Sequence, residues 1–112
     1  MIGRFIGAFI LFHIGIANGA FLPQTNDIPL MDGIILTETE HFSFDTPAGQ
    51  ILTFEGKMKN DISFVRTFYD NTLASLGWQK NKTDFYVRGN DTLELSFIGE
   101  NKIRFEILLS ND

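Results

Sequence analysis

The chain has 112 residues, a formal net charge of −5 and no cysteine. That length suits one domain with a single modest core. The acidic balance disfavours nucleic acid and anionic membrane surfaces, both of which need a cationic footprint. Without cysteine there are no disulfides, thiol nucleophiles, iron–sulfur clusters, cysteine zinc sites or lipid attached through a leader cysteine. The core must hold by packing, for which twelve Phe, two Tyr and one Trp are available.

Met1-Ile2-Gly3-Arg4 is a short basic start, Phe5 to Ile16 an apolar run broken only by His13 and small residues, and Ala17-Asn18-Gly19 a stretch of small residues. This is the layout of a cleavable secretory signal over residues 1–19, with the mature chain beginning at Ala20 or Phe21. The rival is a retained anchor. A span needs about 20 apolar residues, whereas Phe5 to Leu22 contains His13 and Asn18, both costly in lipid. The expected location is therefore periplasmic or secreted, with inner-membrane anchoring as the alternative.

Residues 20–33, with Pro23 and Pro29, read as an extended lead-in ending in an Asp32-Gly33 turn. Residues 34–112 read as a single α+β domain. Ile34 to Asp45 favours strand, with Leu36, Phe42 and Phe44 inward and His41, Ser43 and Asp45 outward. Thr46-Pro47-Ala48-Gly49 is a turn. Gln50 to Met58 is a second strand, with Leu52, Phe54 and Met58 inward and Thr53, Glu55 and Lys57 outward.

Asn60-Asp61 offers an N-cap for a helix from about Ile62 to Leu76. Its apolar stripe is Ile62, Val65, Tyr69, Leu73 and Leu76. Gly77 sits where helices end in left-handed geometry, and Trp78 folds back over that end. Trp78 to Lys80 is a short candidate strand turned by Asn81-Lys82, and Asp84 to Arg88 is another. Thr92 to Ile98 and Lys102 to Leu109 alternate cleanly, with Leu93, Leu95, Phe97, Ile103, Phe105, Ile107 and Leu109 inward. The expected fold is a two-layer α+β domain in the order β-β-α-β-β-β, its antiparallel sheet covered on one face by one helix.

Candidate chemistry is sparse. His41, Ser43 and Asp45 alternate along one strand, without the nucleophile elbow or glycine loop that a hydrolytic triad needs. Glu38 with Glu40, and Glu94 with Glu106, share faces as acid–base pairs would, and Arg104 beside the second pair suggests cross-strand charge pairing. Asp84, Asn90 and Asp91 are too scattered for a calcium loop. No glycine-rich phosphate loop is present. Asn81-Lys82-Thr83 and Asn90-Asp91-Thr92 match the glycosylation acceptor pattern. Phe64, Phe68 and Trp78 form a candidate aromatic patch, although Phe64 packing beneath the lead-in or the Asn60 loop accounts for it as well.

Phe68-Tyr69, Leu73 and Leu76-Gly77-Trp78 spell FY-x3-L-x2-LGW. Phe44-Asp45-Thr46-Pro47-x-Gly49 precedes this run, and Phe85-x2-Arg88 and Leu93-x-Leu95-x-Phe97 follow it. Over residues 28–109 the chain resembles a class of small, uncharacterised exported bacterial domains, found notably in alphaproteobacteria. The resemblance implies a fold and brings no catalytic residues.

The leading expectation is a non-enzymatic binding or accessory module of the envelope, with no cofactor and no metal. Its partner would be an envelope protein or a small ligand, and its surface His41, Glu55, Arg88, Glu94, Arg104 and Glu106. The alternatives are a small carboxylate-using hydrolase or isomerase, and a membrane-tethered subunit of an envelope complex.

Overall fold

The computed structural model describes residues 20–37 and 42–111. The leader, Glu38, Glu40 and His41 lie outside the described residues. The chain divides into two compact units, Met1–Asp32 and Gly33–Asp112.

In the first unit the lead-in is not simply extended. Phe21 and Pro29 form an antiparallel bridge. Leu22 N donates to Ile28 O at 2.9 Å and Leu30 N to Ala20 O at 3.0 Å. The bend holds Gln24 at φ +67°, and the Thr25 hydroxyl donates to Leu22 O at 2.7 Å. Leu22, Ile28 and Met31 are buried.

The second unit is an antiparallel α+β structure with seven strands and, among the described residues, one helix. Its strands are β1 (Ile34–Leu36), β2 (Phe42–Thr46), β3 (Gly49–Met58), β4 (Gln79–Lys82), β5 (Phe85–Arg88), β6 (Asp91–Ile98) and β7 (Lys102–Ser110). The helix α1 (Ile62–Ser75) lies between β3 and β4. The spatial order is β1-β3-β7-β6-β5-β4, and β2 also pairs with β3. Two features depart from the expected order β-β-α-β-β-β. The expected first strand is two strands, because Leu36 pairs with Gly56 while Phe42 pairs with Thr53. The two pairings lie in different registers on β3. After the helix come four strands: β4 runs through Asn81 and Lys82 to a turn at Thr83-Asp84, with a register shift between Lys80 and Lys82.

The helix forms where its stripe and caps agree. The Asp61 carboxylate accepts from Phe64 N at 2.9 Å. At the other end Trp78 N donates to Leu73 O and Gly77 N to Ala74 O, with Gly77 at φ +93°, a Schellman closure. Val65, Tyr69 and Leu73 are buried, and Tyr69 meets Phe105 edge-on with ring centroids 5.6 Å apart. The helix-facing side of the sheet supplies Leu52, Phe54, Tyr86, Leu93, Leu95, Ile103, Phe105 and Ile107, each at most 3% exposed. Alternation along β3, β6 and β7 follows the expected faces. The first strand does not: Phe44 pairs with Ile51, on the side opposite Leu52, and is 54% exposed. Pairing with β3 fixes that parity, whereas apolar spacing alone fits either face.

Candidate functional site

The sheet side away from α1 is a surface of four cross-strand rows, because period-two strands in register bring every second residue together. The first row is Ile35, Lys57, Lys102 and Ile98. The second is Glu55, Arg104 and Ser96. The third is Thr53, Glu106, Glu94 and Phe85. The fourth is Phe44, Ile51, Leu108, Thr92 and Val87.

Charge on this side is segregated. In the second row Arg104 Nε and Nη2 both reach Glu55 Oε2 at 2.7 Å, and Lys102 Nζ lies 3.7 Å from Glu55 Oε1. The Glu55 side chain is only 12% exposed, so its charge is held by these cations. Lys57 and Lys102 stand beside it, leaving the first two rows net cationic. The third row is net anionic, since Glu94 and Glu106 face each other directly. Both are exposed, and neither has an ion-pair partner among the described residues. The fourth row is uncharged.

Four of the six expected surface residues therefore meet here: Glu55, Glu94, Arg104 and Glu106. The expectation that Arg104 serves the Glu94–Glu106 pair is corrected, because its guanidinium is committed to Glu55. Arg88 is also corrected. It shares the parity of buried Tyr86, stacks over the Trp78 ring at 4.6 Å and donates to Leu76 O at 3.1 Å, so it belongs to the helix side. His41 lies outside the described residues. Sequence reading missed the apolar members Ile35, Phe44 and Ile98, which are 60%, 54% and 39% exposed. Their signal was available only through register.

The other candidates are used structurally. Gln50 donates to the Ser43 hydroxyl at 2.9 Å. The Asp84 carboxylate takes Arg66 in two 2.8 Å bonds, and Asp91 accepts from Ser110 N at 2.8 Å. Among the described residues no cluster of three or more His, Asp or Glu is placed to hold a metal. The aromatic patch does not form: Trp78 is 2% exposed, while Phe64, at 56%, is not packed beneath a loop. An open depression of about 360 Å³ at the β4 edge, lined by Gln79, Lys80, Asn81 and Val87, contains no carboxylate. No described helix is long and apolar enough to cross a membrane. No family model matches the chain, and no curated protein or solved structure matches it significantly.

Proposed function

We propose that the chain is an exported, non-enzymatic binding module of the cell envelope, built as two layers, whose working surface is the sheet face away from α1. One observation carries this reading: Ile35, Phe44 and Ile98 leave large apolar surface in water around an ordered charge pattern. Exposed apolar area of this kind, set among polar groups, is characteristic of binding surfaces. The carboxylate-hydrolase alternative finds less support, because Glu94 and Glu106 are both exposed, whereas a catalytic pair works where water is excluded.

Export is tested by expressing the full chain with a C-terminal tag in a Gram-negative host. A soluble envelope product starting at Ala20 or Phe21 is expected. A membrane fraction retaining Met1 would favour the tethered alternative. Binding is tested by formaldehyde cross-linking in intact cells. A specific adduct is expected from the wild type and not from folded Phe44→Glu; equal adducts from both, or none from either, would overturn the reading.

A further inference from the structure

We infer that the occupant of this face is a second copy of the same chain, stacked sheet on sheet about a two-fold axis. The inference rests on reading the face as the binding surface, and it deepens that reading by naming the partner.

The face is complementary to itself. A closed dimer places the same patch on itself, so any residue it touches must be touched in return. Let the two-fold lie in the interface, across the strands, between the second and third rows. The first row then meets the partner's fourth and the second meets the partner's third. Strands stack on their own copies, running antiparallel.

The operation separates like charges along β7 and β6. Along β7, Arg104 comes over the partner's Glu106. Along β6, Ser96 rather than a second carboxylate comes over the partner's Glu94. Glu106 thus gains the guanidinium of the other copy's Arg104 beside its Glu55 and Glu94 gains a hydroxyl, and this occurs twice.

The apolar residues match as well. β1 and β2 pair with the same edge of β3, so they occupy one column. Ile35, in the first row, therefore meets the partner's Phe44 in the fourth, and the reverse. These two residues are 60% and 54% exposed in the single chain. Lys57 and Lys102 lie over the partner's Ile51 and Leu108, where their methylene stems cover apolar surface and their ammonium groups reach the rim. A parallel stacking would instead set Lys57 and Lys102 over themselves and Glu94 and Glu106 over themselves.

Size suits a weak dimer. Four rows at about 6.7 Å across β3, β7 and β6 at about 4.8 Å, with Ile35 and Phe44 at their edge, give about 450 Å² per copy, or about 900 Å² in all, just under the roughly 1,000 Å² of a stable specific interface. Aligned sheet packing at about −30° centres the contact on β3 and β7.

The test uses the chain purified after full-length expression. Sedimentation velocity at about 10–100 μM, spanning ordinary weak-to-moderate affinities, is expected to show a dimer. Glu94→Lys/Glu106→Lys makes the face predominantly cationic, with Glu55 its remaining carboxylate, and Lys57→Glu/Lys102→Glu makes it predominantly anionic. Each variant, checked for folding by circular dichroism, is expected to be monomeric, the first because it sets an ammonium over the partner's Arg104 and the second because it sets carboxylates over the partner's Ile51 and Leu108. Photoreactive benzoylphenylalanine at Phe44 gives a readout that survives a misfolded charge variant, its expected product being an adduct of twice the chain mass. A monomeric wild type whose Phe44 probe, irradiated in intact cells, labels a different protein would overturn the second copy while sparing the binding face. A monomer with no adduct would overturn both.

Discussion

Arg66 of α1 closes two 2.8 Å hydrogen bonds onto the carboxylate of Asp84, a residue held at φ +63° in the β4–β5 turn. The pair ties the helix to a turn made by a non-glycine residue in left-handed geometry, which Asp tolerates better than most. The backbone carbonyl of Asp84 also accepts from Leu95 N at 2.9 Å, and the Arg66 guanidinium lies 5.2 Å from the centre of the Phe97 ring.

Asp84 therefore does two separable things, and substitutions should divide them. Asp84→Asn keeps the tolerance of left-handed backbone and loses the charge, at an expected cost of about 1 kcal/mol for a partly exposed pair. Asp84→Val loses both and adds β-branched strain, for about 3 kcal/mol. Asp84→Gly, which relaxes the backbone and loses the carboxylate, should fall between them. Urea unfolding of the three variants checks the order; Asn as costly as Val would show that the ion pair is the whole effect.

Gly49 makes a second backbone prediction. Its φ is +149°, and a Cβ there would lie 2.2 Å from Leu109 O and 2.9 Å from Ser110 Cα. Both obstacles are backbone of the paired strand β7, which cannot rotate aside. Gly49→Ala should cost about 2–4 kcal/mol. Gly99 has positive φ but nothing within 4 Å of its Cβ position, so Gly99→Ala should cost only the left-handed term, about 1–2 kcal/mol. Comparable urea midpoints for the two variants would contradict the steric account.

The helix and the last two strands were legible because several local signals coincided in each. Val65, Tyr69 and Leu73 recur at helical spacing between an Asp61 cap and a Gly77 stop, and β6 and β7 keep strict alternation on a long shared ladder. What failed to read was what only pairing decides. The run Phe42-Ser43-Phe44-Asp45-Thr46 alternates well, yet alternation is indifferent to which parity faces the core. β4 has four exposed residues and so no apolar rhythm to mark its end; Asn81-Lys82 has turn composition, but the left-handed residue is Asp84. The sheet face away from α1 had the same fate. Its charged members were visible as outward residues of strands, but the segregation of Lys57, Lys102 and Arg104 from Glu94 and Glu106 exists only in the register of three strands.

Trp78 supplies a prediction about the helix end. Its indole is 2% exposed, and its Nε1–H has no acceptor among the described residues. An unpaired buried donor costs about 1–3 kcal/mol, offset here by the area buried and by the Arg88 guanidinium 4.6 Å above the ring. Trp78→Phe loses some packing but removes the orphan donor, so it should lie within about 1.5 kcal/mol of the wild type. Trp78→Ala should cost about 3–5 kcal/mol. Thermal unfolding of both decides this; a Phe variant as damaged as Ala would mean that the indole N–H has a partner after all.

Tyr86 gives the pH prediction. Burial, and then the hydrogen bond it donates to Asp70 at 2.5 Å, push its phenol well above the usual range near 10. The same Asp70 carboxylate takes Lys80 at 3.1 Å, so a phenolate would meet a fixed negative charge. A phenol whose acidity is lower folded than unfolded holds its proton longer in the native state. Its contribution is fully present below the unfolded value and is lost as pH rises from about 10 toward the folded one. Unfolding free energy measured across pH 8–11.5 should thus fall above about pH 10 in the wild type. Tyr86→Phe has no proton to release there, and its curve should fall less steeply, although it starts lower by the lost hydrogen bond, about 1–2 kcal/mol. Parallel curves for the two proteins across that range would place the alkaline sensitivity elsewhere.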